Sequence, residues 1–261
     1  MTSDTSRPLL GAVSYLNTLP LVWGMVEGPQ REEVSLSFST PAVCADRVEQ
    51  DTIQAGLVPV AEIARQHLQI VPGTGIVAAG PVRSILLFSK VPWRQIRILA
   101  ADSGSRTSVE LARVILRERF GAEPRILRNE PNLDEMLRNS DAALIIGDAA
   151  LRIEPNRTGL AWLDLGKEWF RLTNLPMVFA VWAGKAGLDV ARIEEITRAS
   201  YLYGKSRLDE IIDCEHANRQ IARDLAERYL RDHIHYELTA RELEGLEAFF
   251  NLSRMATEVR A

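Results

Sequence analysis

Short apolar runs alternate with amphipathic segments along most of this chain. Leu9 to Val13, Gln54 to Val58 and Ala142 to Ile146 have strand length, and a segment with helical spacing follows each of them. This alternation continues to about Leu188. Strands separated by helices predict an α/β fold, with a mostly parallel sheet that helices cover on both faces.

The alternation falls into two blocks, which predicts two lobes. Val82 to Phe88 is a longer apolar run suited to crossing between lobes, and Met177 to Ala183 suits a central strand that returns to the first lobe. After Leu188 only amphipathic helical spacing is left, so we expect a helical C-terminal tail without strands. The predicted boundaries are residues 1–88 plus 183–261 for lobe 1 and residues 89–182 for lobe 2.

Small polar residues follow five of the apolar runs, at points where a strand ends and a helix begins. These segments are Ser14 to Thr18, Ser39 to Pro41, Asp102 to Ser108, Gly147-Asp148 and Thr173-Asn174. Ligands of such sheets bind beyond the carboxyl ends of the strands. Helix starts carry unpaired N–H groups that bind anions. The sequence therefore predicts a central cleft for a small anionic organic molecule.

Several side chains in these segments are candidates for ligand contact, and structural roles stay open for them. Asn17 is either a helix N-cap or a donor and acceptor for a ligand. Ser105, Thr107 and Ser108 offer hydroxyls to a carboxylate at a helix start, although the pattern from Thr107 to Glu110 also fits a capping box.

Charged residues near the predicted cleft leave similar alternatives. Arg83 interrupts an apolar run and must leave the core, either to clamp a ligand carboxylate or to reach solvent beside an edge strand. Ser84 lies on the opposite face of that strand. Asp102 and Asp148 are the carboxylates nearest the cleft, and each is a candidate general base or a turn and cap residue.

Composition narrows the class of protein. A net charge of -4 argues against nucleic acid as a partner. No apolar stretch approaches the roughly 20 residues that are needed to cross a bilayer. Cys44 and Cys214 form neither a disulfide framework nor a zinc-site spacing, and the pair His233 and His235 lacks a third metal ligand. The loop at 102–108 lacks the Gly-Lys-Ser/Thr ending of a nucleotide-binding P-loop. We expect a cytoplasmic protein that uses no metal and no other cofactor.

Five motifs, in family order between about residues 11 and 183, resemble the MqnA family, the chorismate dehydratases of the futalosine route to menaquinone. They are Ser14 to Leu21, Gly56 to Glu62, Ser103 to Ser108, Asp141 to Asp148 and Leu175 to Trp182. The sister enzyme, which acts later in that route, shares the fold, but its N-terminal motif differs from Ser-Tyr-Leu-Asn-Thr. The chain departs from the family pattern at Gln54, Ile63 and Asn174, where an acidic residue, an aromatic residue and a glycine are common.

The resemblance implies a type II periplasmic-binding-protein fold that eliminates water from chorismate, a dicarboxylate, to give 3-[(1-carboxyvinyl)oxy]benzoate without a cofactor. Under this hypothesis Asn17 and Ser84 are the catalytic residues. The substrate-binding residues would be Ser14, Tyr15, Thr18, Arg83, Ser105, Arg106, Thr107, Ser108, Gly147 and Asp148. The alternatives are a non-catalytic solute-binding protein for a small carboxylate and the sister enzyme, which acts on a dehypoxanthine-futalosine-type substrate.

Overall fold

Two β-sheets organise the structure, a computed structural model that describes residues 7–255. In chain order the strands are β1 (Leu9–Val13), β2 (Ser35–Ser39), β3 (Ala55–Pro59), β4 (Gln69–Ala78), β5 (Ile85–Ser89), β6 (Ile98–Asp102), β7 (Arg125–Asn129), β8 (Ala142–Ile146), β9 (Ala161–Asp164), β10 (Met177–Gly184) and β11 (His235–Glu237). The first sheet has the order β11-β4-β10-β3-β1-β2, and the second has the order β7-β6-β8-β5-β9. Each sheet is the centre of one lobe, as the two blocks of the sequence predict.

Helices connect these strands and form the C-terminal tail. They are α1 (Leu19–Val26), α2 (Pro41–Glu49), α3 (Val60–Gln66), α4 (Thr107–Phe120), α5 (Leu133–Arg138), α6 (Gly147–Arg152), α7 (Leu165–Thr173), α8 (Val190–Lys205), α9 (Leu208–Glu215), α10 (Arg223–Arg228) and α11 (Ala240–Leu252). A 3₁₀ turn at Leu16–Thr18 leads into α1, and a π-helical turn at Tyr229–His233 follows α10. Within residues 7–255, no helix combines the length and the apolar character needed to cross a membrane.

Both sheets are mixed, so the expectation of a mostly parallel sheet was wrong. β1 pairs in parallel with β2 and β3, and β6 pairs in parallel with β7 and β8. In contrast, β10 runs antiparallel to β3 and β4, and β5 runs antiparallel to β8 and β9. The reason is the double crossover: β5 and β10 enter their sheets from the side of the other lobe, where the parallel strands have their carboxyl ends.

The chain changes sheets earlier than the sequence predicts. β5 was assigned to lobe 1 but lies in the second sheet, and β10 begins in the first sheet at Met177 rather than at 183. The apolar run Val82 to Phe88 hides this change because its first three residues make the crossing and the rest form β5. These three, Val82 to Ser84, make a tight turn in which the Ser84 N–H donates to the Val82 carbonyl at 2.7 Å.

The sequence analysis predicts none of three elements that the structure contains: β9, α7 and β11. β11 contradicts the expectation that the tail holds no strand, because His235–Glu237 pairs with the ten-residue β4 at the edge of the first sheet. Three residues are too short to show a strand period. The rest of the tail is helical, as predicted, and α8 packs along α1 and β4.

Candidate functional site

A cavity lies between the two lobes. Its apolar wall includes Leu57, Ile76 and Phe179 from the first sheet and Ile85 and Ile146 from the second. The N-terminal ends of α1 and α4 open toward it. This mixture of apolar walls with a few polar groups is typical of sites for small molecules.

Most of the side chains selected from the sequence meet in this cavity. Those that line it are Tyr15, Asn17, Thr18, Ser84, Ser105, Arg106, Thr107, Ser108 and Gly147. They come from three of the five predicted segments and from the crossover, and Pro41, from a fourth segment, also lines the cavity. The convergence follows from the topology, because the carboxyl ends of β1, β6 and β8 all face the other lobe.

Two buried hydroxyls in the cavity have no hydrogen-bond partner within the described residues. Thr18 Oγ1 and Ser105 Oγ are both unpaired, although their residues are only 0% and 2% exposed. Buried polar groups are normally satisfied, so each unpaired one calls for an explanation. A bound ligand with acceptor oxygens would satisfy both hydroxyls.

The start of α4 adds donors beside these hydroxyls. Its N-cap residue, Arg106, makes no side-chain cap bond, so the first N–H groups of this 14-residue helix stay available. Thr107 Oγ1 accepts a bond from the Ala61 N–H at 3.2 Å, which leaves its own proton to donate. The capping alternative for Thr107 is therefore not what the structure shows: its hydroxyl caps α3 instead. Unpaired N–H groups and the helix dipole favour an anion at this end of α4.

Asn17 and Ser84 are joined through a residue that the sequence did not suggest. Asn17 Nδ2 donates to Tyr229 Oη at 2.8 Å, and the Tyr229 hydroxyl donates to Ser84 Oγ at 2.8 Å. Tyr229 comes from the C-terminal tail and is 1% exposed. Burial raises the pKa of its phenol, so it stays protonated at neutral pH. No local pattern in the sequence could have indicated this residue, because its partners are far away along the chain.

Arg106 brings a positive charge to the cavity wall. Its guanidinium pairs with Asp46 at 2.5 Å and with Glu62 at 2.8 Å, and Glu62 also accepts from Arg65 at 2.7 Å. The two carboxylates offset the positive charge of Arg106. We therefore expect neutral donors and the start of α4 to contribute more to anion binding than this arginine does.

Tyr15 and Gly147 form a tightly packed wall of the cavity. Burial first, and then the charges of Asp102 and Asp148, raise the pKa of Tyr15, which keeps the phenol neutral. Gly147 has φ of 61°, and a Cβ there would lie 2.7 Å from the Tyr15 ring. The glycine is required both by its backbone conformation and by the close approach of the ring.

We expect Gly147→Ala to weaken the binding of a small anionic ligand in this cavity at least tenfold, since the new methyl group must displace Tyr15. Gly121→Ala is the matched control: φ there is 64°, but nothing lies within 4 Å of the added Cβ. Both variants carry the left-handed strain of roughly 1 kcal/mol, and only Gly147→Ala also carries the clash. Ligand titration and thermal unfolding of both variants measure this difference. Equal losses of affinity would show that the contact with Tyr15 has no role.

The predicted carboxylate clamp at Arg83 was wrong. Its guanidinium donates to the carbonyls of Ala150 at 3.0 Å and Ile153 at 2.6 Å, at the end of α6, and the side chain is not part of the cavity wall. Arg83 has φ of 62° in the crossover turn, and its N–H donates to Asp164 Oδ2 at 2.6 Å. This turn directs the side chain toward α6 rather than into the cleft.

Ser14 and Asp148 lie at the mouth of the cleft and connect the lobes. Asp148 Oδ1 accepts the Leu16 N–H at 3.0 Å, and its Oδ2 accepts from Arg219 at 2.6 Å. Arg219 also donates to the Ser14 carbonyl at 3.0 Å. Neither residue lines this cavity, and these contacts occupy the Asp148 carboxylate and the Ser14 backbone carbonyl, so a substrate contact for either residue stays a prediction.

The remaining candidates have structural roles. Asp102 accepts the Gly104 N–H at 2.9 Å at the cleft mouth, and burial raises the pKa of its carboxyl. Thr173 and Asn174 end α7 away from the cavity, so the fifth polar segment is a helix end and not a helix start. Within residues 7–255, no group of three or more His, Cys, Asp or Glu side chains is placed to hold a metal ion.

Solved structures similar to this one share its two-lobed fold. Protein AF1704 from Archaeoglobus fulgidus has a TM-score of 0.73 at 14% identity, covering 95% of this chain and 96% of that one. The alkanesulfonate-binding protein SsuA from Xanthomonas axonopodis pv. citri, bound to MOPS, has a TM-score of 0.67 at 12% identity, covering 99% and 96%. These likenesses confirm the predicted fold of the periplasmic-binding-protein type, with its central cleft.

The sequence comparisons identify the family. The chorismate dehydratase of Thermus thermophilus is 31% identical over 201 residues, which are 71% of this chain and 73% of that protein. A protein family described as menaquinone biosynthesis matches residues 8–255. The chain therefore belongs to the menaquinone biosynthesis family.

Proposed function

We propose that this protein is a hydro-lyase that converts chorismate to 3-[(1-carboxyvinyl)oxy]benzoate and water. The observation that carries the proposal is the set of neutral donors, including Asn17 and Ser84, around a cavity between the lobes. Membership of the family and the similarity to a chorismate dehydratase support the same reaction. Chorismate carries two carboxylates and a leaving hydroxyl, and such groups require donors rather than acceptors.

The reaction balances without a further reactant. The C3–H bond of the ring breaks, and its electron pair forms the C3–C4 double bond that makes the ring aromatic. The C4–O bond breaks at the same time or afterwards, and the hydroxide leaves with the released proton as water. Aromatisation provides the driving force, so the protein mainly has to position the substrate and stabilise the developing negative charge.

The described residues suggest a role for each part of the cavity. In the proposal, Ser105, Thr107, Ser108 and the first N–H groups of α4 hold one carboxylate. Asn17 and Ser84 orient the ring substituents and donate to the leaving oxygen. Within residues 7–255 the wall of this cavity contains no carboxylate and no imidazole. We therefore assign the role of proton acceptor to the side-chain carboxylate of the substrate.

The lobes also keep water away from the reacting ring. Leu57, Ile76 and Phe179 form an apolar wall, and the contacts of Asp148 hold the lobes together at the mouth. Excluding water strengthens the hydrogen bonds inside the site. We place this biosynthetic reaction in the cytoplasm, in keeping with two cysteines that are both free thiols in the described structure.

A second candidate is a binding protein that closes on a small carboxylate without converting it. The fold favours it, since the similar SsuA structures from Xanthomonas and from Escherichia coli are named as sulfonate-binding proteins. A shared fold alone does not decide between binding and catalysis.

Incubation of the purified protein with chorismate separates these functions. The hydro-lyase is expected to produce a new aromatic absorbance with repeated turnovers. A binding protein would raise its melting temperature with chorismate and leave the ligand unchanged. Conversion of a dehypoxanthine-futalosine-type substrate, with chorismate left intact, would instead assign the sister reaction.

A further inference from the structure

Tyr229 provides a hydrogen-bond bridge between the two residues proposed to act on the substrate. Its hydroxyl accepts from Asn17 Nδ2 and donates to Ser84 Oγ, at 2.8 Å in both cases. Asn17 belongs to the first lobe, and Ser84 stands directly before β5 in the second. A residue of the C-terminal tail therefore ties one reacting side chain of each lobe to the same oxygen.

The direction of these bonds determines what the two side chains present to the cavity. The single proton of Tyr229 goes to Ser84 Oγ, so Ser84 keeps its own proton to donate to a ligand. One Asn17 N–H is used on Tyr229, which leaves the carboxamide oxygen and the second N–H for the cavity. The bridge thus fixes which edge of the Asn17 amide faces the substrate and leaves the single hydroxyl proton of Ser84 free to point into the cavity.

The backbone around Tyr229 holds the phenol firmly in place. It begins the π-helical turn Tyr229–His233 between α10 and β11. Such turns are rare and are found frequently at functional sites. The His233 ring, at the end of this turn, bonds the Pro81 carbonyl at 2.9 Å, beside the crossover that carries Ser84. The turn is therefore attached to the crossover at two points.

We propose that Tyr229 is a positioning residue for this reaction: it sets the orientation of Asn17 and Ser84 toward the substrate. This inference rests on the proposed function for its kinetic consequence. Tyr229 acts through its two partners, since it is not among the residues that line the cavity. Positioning of a reacting group by even an ångström changes rates strongly, which is why a residue behind the site can matter.

Tyr229→Phe removes the bridging oxygen and keeps the buried ring. We expect kcat for chorismate to fall about 10- to 100-fold while KM changes less than about threefold, because ground-state contacts with the substrate remain. The double variant with Ser84→Ala is expected to lose less than the product of the two single effects, because the residues act as one unit.

Tyr236→Phe is the matched control. Tyr236 is another buried tyrosine of the tail, 6% exposed, and its hydroxyl has no partner within the described residues. Removal of that oxygen breaks no hydrogen bond, so kcat should stay within about twofold of the original. Equal kcat values for both variants, or a Tyr229→Phe variant that only melts earlier, would overturn the positioning role while the proposed function stands.

A second readout does not depend on turnover. In protein labelled with ¹⁵N-asparagine, Tyr229→Phe is expected to shift the Asn17 carboxamide resonances and speed their exchange with water, whereas Tyr236→Phe leaves them in place. Unmoved resonances in Tyr229→Phe would overturn the bridge. If the original protein leaves chorismate intact, the proposed function fails, and these resonances alone decide whether Tyr229 orients Asn17.

Discussion

Asn17→Ala is expected to lower kcat/KM for chorismate by about 10²- to 10³-fold, the range seen when a preorganised donor to a developing oxyanion is removed. Two consequences combine in this variant. The cavity loses the carboxamide itself, and Tyr229 loses the donor to its hydroxyl oxygen. Steady-state kinetics followed by the new aromatic absorbance measures the loss.

Asn218→Ala is the control for this prediction. Asn218 is exposed, and its Nδ2 donates to the Cys214 carbonyl at 3.1 Å, far from the cavity wall. We expect this variant to keep its kcat/KM within about twofold, as surface substitutions usually change stability by less than about 0.5 kcal/mol. Unchanged chorismate turnover in Asn17→Ala would remove Asn17 from the mechanism.

Asp148→Ala is expected to lower the free energy of unfolding by about 2–3 kcal/mol and to raise KM for chorismate more than it lowers kcat. Removing one partner of a buried ion pair costs about 3–5 kcal/mol, and partial exposure of Arg219 reduces this value. The variant also leaves the Leu16 N–H without its acceptor. These bonds join the lobes. We therefore expect their loss to destabilise the contact between the lobes and to lower the affinity for the substrate more than it lowers kcat.

Asp213→Ala tests whether this effect is specific to the cleft. Asp213 pairs with Arg223 at 2.7 Å on the surface, and exposed pairs contribute about 0–1 kcal/mol. Urea unfolding and substrate titration of both variants provide the comparison. The linking role of Asp148 would be refuted by equal stability losses together with an unchanged KM.

The sequence was sufficient to predict that Asn17, Ser84 and Thr107 meet in one cavity. Each lies where the chain passes between a strand and the cleft, and topology brings these points together whatever the details of packing. Asn174, a departure from the family pattern, is explained by the structure. It ends α7 with φ of 58°, a left-handed conformation that glycine adopts most readily and that asparagine tolerates better than most other residues.

The roles of Arg83, Asp148 and Tyr229 could not be predicted from local pattern. Arg83 points to α6 because of a positive φ in a three-residue turn, which no periodicity reveals. Asp148 and Tyr229 take partners that are 132 and 212 positions away along the chain. Such contacts exist only after the lobes and the tail have packed. The sequence therefore predicted which residues line the cavity but not the hydrogen bonds that hold their side chains in place.

Proton NMR of chorismate incubated with the protein tests the central claim most directly. We expect the ring signals of chorismate to give way to the aromatic protons of a 1,3-disubstituted benzene, while the vinyl protons of the carboxyvinyl group stay. A spectrum that does not change, or one that shows free pyruvate in place of the retained vinyl group, would contradict the elimination of water in this cavity.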